Sequence, residues 1–141
     1  MLAVHVVNGV LVLVLSLVAG VWGAVAWLRR QPTVGFWYLL RAMQVVVVLQ
    51  VAFGSILLLS GRNAPGLHYL YGILPLLVSL LAEGLRAGIA DRELEGLDFD
   101  SLPVDRRRTI ALAITRRETG AMAVAALVIF LLALRAAGTA A

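Results

Sequence analysis

Apolar residues fill four long stretches of the chain, and most charged residues lie between them. The first stretch contains no Asp, Glu, Lys or Arg before Arg29 and Arg30, and Pro32 then marks a turn. About 20 consecutive apolar residues suffice for a helix to cross the hydrocarbon core of a bilayer. The pattern predicts an all-α membrane protein, a single domain over 1–141 whose four-transmembrane-helix bundle has helices at about 2–28, 37–60, 67–85 and 120–137.

The segment 86–118 differs from the rest in its polarity. It contains seven of the eight acidic residues and seven of the twelve arginines. Gly96 and Pro103 indicate a loop between two polar helices, and Val104–Arg117 has the pattern of an amphipathic helix on a membrane surface. We therefore expect a cytoplasmic segment between the third and fourth transmembrane helices.

Arginines also predict the orientation. Ten of the twelve lie between helices one and two or between helices three and four, and only Arg62 and Arg135 lie on the opposite side. Cytoplasmic loops carry an excess of basic residues. Both termini and the loop at 61–67 are then expected outside the cell membrane.

Composition narrows the function classes. Hydrophobic residues make up 62% of the chain and charged residues only 14%, so the lipid bilayer is the expected surrounding. The net charge of +4 is too small to indicate nucleic acid. The absence of cysteine excludes disulfides, iron–sulfur clusters and thiolate metal sites. The N-terminal stretch has no basic flank and exceeds a signal peptide in length, which predicts a retained helix.

Two histidines, His5 and His68, are the only ones in the chain, and each begins an apolar run. The two runs match at an offset of 63 residues, and Gly9 and Gly72 each follow a histidine by four positions. This H-x-x-x-G repeat places both imidazoles at the outer ends of parallel helices. Counted from Arg29 and Arg86, however, the histidines differ by six residues, or about 9 Å along the helix axes.

The repeat suggests two axial ligands for a haem iron, with both glycines leaving room for the macrocycle. Arg62 and Tyr69 lie where they would contact propionates, and Gln50 is placed to reach a cofactor from the second helix. Each feature also has a structural interpretation. Each histidine, like Tyr69, would be a polar anchor at the membrane interface. The glycines would allow close packing, and Gln50 would form an interhelical hydrogen bond.

The run LQVAFGSILLLSGRNAPGLHYLYGILPLL resembles a segment of the haem A synthase family, and HVVNGVLVLVL resembles an earlier helix of the same half. The resemblance spans roughly Val4 to Leu85 and implies a four-helix bundle with a bis-histidine haem on His5 and His68. Family members have two such halves. The catalytic half carries a Glu and an Arg where this chain has Leu2 and Val6. The resemblance is therefore to the non-catalytic half, and no synthase activity is assigned.

Two functions follow from these patterns. The first is a small cytochrome of the bacterial plasma membrane, with one haem b per chain, serving electron transfer or haem handling in respiratory oxidase assembly. It would act as a homodimer or with a respiratory-complex partner. The second is a cofactor-free structural or assembly subunit of a membrane complex, which docks through the 86–118 segment.

Overall fold

Four long helices make up most of the protein in the computed structural model, which describes residues 1–31 and 33–139. The predicted all-α four-helix bundle is confirmed. Pro32, expected in the first turn, and the last two alanines lie outside the described residues. A short 3-10 helix at Phe99–Ser101 follows the third long helix. The long helices are α1 at Leu2–Arg29, α2 at Val34–Leu59, α3 at Gly66–Leu94 and α4 at Val104–Gly138.

Each of these four helices is long and apolar enough to cross a membrane. Large apolar side chains cover the outer surface of the bundle, for example Leu59, Leu81 and Leu131, which are at least 61% exposed. Such a surface is unfavourable in water and matches the surroundings that lipid chains provide. The architecture is that of a multi-pass membrane protein.

Packing around the bundle is uneven. Helix α4 packs extensively against both α1 and α3, and α1 also packs against α2, whereas α2 and α3 touch much less. Helices α1 and α3 therefore lie diagonally across the bundle and run in the same direction. Most of the interior is formed by α1, α2 and α4 and includes Phe36, Leu40, Met43, Met122 and Ile129.

Two ends of the bundle are defined by their polar residues. The histidine end contains the first turns of α1 and α3 and the last turns of α2 and α4. The arginine-rich end contains the opposite termini. There, Glu83 on α3 accepts hydrogen bonds from Arg41 at 2.6 Å and Gln44 at 2.8 Å, both on α2, and from Arg86 at 2.9 Å. This cluster joins α2 to α3 where their apolar contact is sparse.

The polar segment is divided differently from the prediction. Helix α3 continues to Leu94 instead of ending near residue 85, and α4 begins at Val104 instead of near residue 120. The region 104–117 is therefore the start of α4 and not a separate surface helix. A fall in hydropathy shows where a helix leaves apolar surroundings. It does not show where the helix ends, because the backbone hydrogen bonds can continue into the polar segment. The polar segment turns at Gly96, whose φ of 70° is readily adopted by glycine and rarely by other residues.

Candidate functional site

The two imidazoles meet at the histidine end. His5 lies in the first turn of α1 and His68 in the first turn of α3, and their ring centroids are 6.1 Å apart with an interplanar angle of 65°. Both side chains are partly buried. Residue counts from Arg29 and Arg86 predicted that the histidines differ in depth by about 9 Å, but they do not. Helix α3 continues past Arg86 to Leu94, so Arg86 and Arg29 do not lie at the same depth in the bundle. The repeat thus does bring its two histidines together.

His68 is held by the last turn of α4. Its Nδ1 lies 3.0 Å from the carbonyl oxygen of Ala136. A carbonyl can only accept, so Nδ1 carries the proton and Nε2 has a free lone pair. Metal-ligating histidines commonly donate their second ring nitrogen to a backbone carbonyl in this way. The arrangement leaves Nε2 of His68 available as a ligand.

His5 is held by a chain of amides. Asn8 Nδ2 donates to the carbonyl oxygen of Val46 and to Oε1 of Gln50, both at 2.9 Å. Since its oxygen faces Asn8, Gln50 presents its amide nitrogen to His5 Nε2 at 3.3 Å. His5 Nε2 is then the acceptor and Nδ1 bears the proton, yet Nδ1 is buried without a hydrogen-bond partner among the described residues. This network orients His5 but leaves one polar atom unsatisfied.

The glycines near the histidines differ in what surrounds them. A Cβ on Gly9 would lie 3.1 Å from Nε2 of Gln50, so in this structure the amide occupies the space beside Gly9. A Cβ on Gly72 would have nothing within 4 Å. On α2, a Cβ on Gly54 would lie 3.3 Å from Cε1 of His5. The space beside Gly72 on α3 is therefore open, whereas Gln50 and His5 fill the space beside Gly9 and Gly54.

Arg62 and Tyr69 also lie near this end. The side chain of Arg62 is exposed in the loop between α2 and α3. Tyr69 packs edge-to-face on His68 with ring centroids 6.3 Å apart, and its hydroxyl accepts a hydrogen bond of 2.8 Å from the Ala64 amide. Tyr69 thus ties the loop to the start of α3.

The distance between the imidazoles is compatible with a shared metal ion. A metal bound to one nitrogen of each ring at about 2 Å, with the two nitrogens on opposite sides of it, places the centroids about 6 Å apart. Among the described residues, no group of three or more His, Asp or Glu side chains is arranged for metal binding. A metal here would have two protein ligands and would need its remaining ligands from elsewhere. Haem iron meets that requirement, because the macrocycle supplies the equatorial nitrogens.

Sequence reasoning missed three contributors to this site. Asn8 orients Gln50, the Ala136 carbonyl orients His68, and Gly54 allows His5 to approach α2. A lone Asn in an uncharged membrane helix is itself a signal, since intramembrane polar residues are costly and often functional. No comparable signal exists for Ala136, whose role depends on its backbone.

Comparison of the chain with protein-family models, with curated proteins and with solved structures found no match.

Proposed function

We propose that this protein is a small membrane cytochrome that binds one b-type haem through His5 and His68. The observation that supports the proposal is the convergence of two imidazoles, from diagonal helices, at a centroid distance of 6.1 Å. A haem with two axial histidines supplies one-electron redox chemistry when bound. The function would be electron transfer or haem handling in respiratory oxidase assembly, in the plasma membrane of a bacterium.

The residues around the pair have separate tasks under this proposal. His68 offers Nε2 while Ala136 holds its protonated Nδ1. His5 would have to exchange its contact with Gln50 for the iron at Nε2, because its Nδ1 bears the proton. Gly72 would leave room for the macrocycle, because a Cβ there would have nothing within 4 Å. Arg62, exposed in the loop between α2 and α3, would bind propionates, since a guanidinium can bind a carboxylate bidentately.

An absorbance titration of the purified protein with haem tests the proposal. The wild type should bind one haem per chain with the spectrum of a six-coordinate low-spin iron. His5→Ala and His68→Ala should each lose that spectrum, and added imidazole should restore part of it. Ser55→Ala is the control, because Ser55 is an exposed residue on α2 that hydrogen-bonds only its own helix at the Val51 carbonyl. A His68→Ala protein with a full bis-histidine spectrum would contradict the assignment.

A second candidate is a cofactor-free assembly subunit. It is favoured by the contact between Gln50 and His5, which satisfies His5 Nε2 and fills the space beside Gly9 without a cofactor. In that case the protein should remain colourless when expressed with ample haem, and it should co-purify with a membrane partner. Loss of that partner on changes to the 86–118 segment, with no effect of His68→Ala, would identify this function.

A further inference from the structure

A cavity of about 260 Å³ lies at the arginine-rich end, far from the histidines. Its walls come from the last turn of α1 and from α4, and they include Ala26, Trp27 and Leu112 as apolar residues. Arg30 and Arg116 border the same cavity from opposite helices. The cavity therefore combines an apolar wall with two guanidinium groups.

Helix register explains why the cavity forms there. A Cβ on Gly20 would touch Leu127, a Cβ on Gly23 would touch Ala123, and a Cβ on Gly120 would touch Trp27. Because α1 and α4 are antiparallel, residues at the same height have a constant sum of residue numbers, here 146 or 147. Arg30 therefore lies at the same height as Arg116. Helix α1 ends at Arg29, whereas α4 reaches back from Arg116 to Val104, twelve residues or about 18 Å farther. Leu112, which is 47% exposed, lies on this overhang.

Among the described residues, the two arginines of the cavity are not neutralised by ion pairs, unlike Arg86 and Arg117 at the same end of the bundle. Arg117 pairs with Glu93, and Arg86 pairs with Glu83. Within the described part of the chain, neither Arg30 nor Arg116 has a carboxylate within 4.0 Å. Both are exposed, so their charges face the surroundings of the bundle.

The end of α1 does not cancel this positive charge. The carbonyl ends of a helix carry partial negative charge, which opposes anion binding. Here, however, Arg30 adopts a left-handed conformation, and its amide donates to the Trp27 carbonyl at 3.2 Å. The backbone N–H of Gln31 donates to the Ala26 carbonyl at 3.0 Å. Two carbonyls of the last turn are thus satisfied, and the charged groups that line the cavity are the two guanidiniums.

We infer that this cavity binds one anionic phospholipid. Arg30 and Arg116 would bind the phosphodiester. Ala26 and Trp27, on the membrane side of the arginines, would contact the glycerol and the upper acyl chain, and Leu112, on the overhang, would border the headgroup. Tryptophan is typical of the headgroup level of a bilayer, where a lipid phosphate lies. A free phosphate would not use the apolar wall, so a lipid is the occupant that matches both parts of the cavity.

Native mass spectrometry of the detergent-solubilised protein tests this inference, with phosphatidylglycerol, phosphatidylcholine and inorganic phosphate as probes. The wild type should retain one phosphatidylglycerol in preference to phosphatidylcholine. The double variant Arg30→Gln/Arg116→Gln should bind it about thirtyfold more weakly. Leu112→Glu, which keeps both arginines, should also weaken lipid binding.

Arg106→Gln/Arg108→Gln is the matched control, because it removes the same charge from two exposed arginines of α4 outside the cavity. It should weaken binding by less than about threefold. Equal losses in the two double variants would overturn the inference in favour of general attraction to a basic end. Equal retention of both lipids, or full displacement of the lipid by inorganic phosphate, would also overturn it. Circular dichroism checks that each variant is folded.

Discussion

At the scale of single residues, the two histidines are equivalent in sequence but not in structure. His68 is oriented by a backbone carbonyl, which no substitution at Ala136 removes directly. His5 is oriented by the side chains of Gln50 and Asn8. The free lone pair on His68 makes it the better preformed ligand, and His5 has to give up a hydrogen bond. Any ligand that bridges the two rings therefore competes with Gln50.

This difference leads to a prediction about coupling between His5 and Gln50. In a double-mutant cycle of His5→Ala and Gln50→Ala, the free energies of unfolding should be non-additive by about 0.5–1.5 kcal/mol, the usual size of a hydrogen bond within a membrane. Titration with SDS, followed by circular dichroism, measures these free energies. The same cycle with His5→Ala and Ser79→Ala is the control, because Ser79 lies eleven residues below His68, about 16 Å along α3. Additivity in both cycles would argue against the contact.

Part of this site was predictable from the sequence and part was not. The H-x-x-x-G repeat predicted the pairing of His5 and His68, because equal positions in parallel helices of one bundle reach similar depths. The use of the space at Gly9 by Gln50 was not predictable, since it depends on how α1 and α2 are rotated against each other. A sequence of apolar residues on all sides of a helix does not define that rotation.

At the scale of helices, α1 and α4 approach each other closely through their small residues. A Cβ on Gly23 would lie 2.5 Å from Cε2 of Phe36 and 2.8 Å from the Cβ of Ala123. Three helices therefore meet at this one position. Small residues allow membrane helices to pack closely, and dispersion contacts supply the stability.

We predict that Gly23→Ala lowers the free energy of unfolding by about 1–3 kcal/mol, because the added methyl group overpacks a filled interior. Gly84→Ala is the matched control. A Cβ there would have nothing within 4 Å, and alanine favours a helix over glycine by up to about 1 kcal/mol. Unfolding in SDS should show destabilisation only for Gly23→Ala. Equal effects at both sites would contradict the packing described for α1 and α4.

Helix existence was predictable, whereas two helix ends were not. All four apolar stretches lie in helices, and each of these helices is long enough to cross a bilayer. The polar continuations of α3 and α4 contain residues such as Arg86 and Glu118 that are good helix formers, and ion pairs between the helices hold them together. Hydropathy alone cannot distinguish such a continuation from a loop.

At the scale of the whole molecule, the bundle has a different chemistry at each end. The histidine end has few charges and contains the imidazole pair. The arginine-rich end contains the Glu83 cluster, the pair of Arg117 with Glu93 and the cavity bordered by Arg30 and Arg116. A haem at one end and an anionic lipid at the other would use separate surfaces, so each can be tested without disturbing the other.

The orientation of the molecule in the membrane decides from which side a redox partner would reach the histidines. The excess of arginines at one end predicts that this end is cytoplasmic and that the histidine end faces outward. Because the chain has no cysteine, a single introduced cysteine reports its own location. Asn63 lies in the loop between α2 and α3, Glu95 follows α3, and both are exposed. Asn63→Cys should react with a membrane-impermeant maleimide in spheroplasts, whereas Glu95→Cys should react only after permeabilisation. The reverse pattern would place the imidazole pair on the cytoplasmic side and require its electron donor or acceptor there.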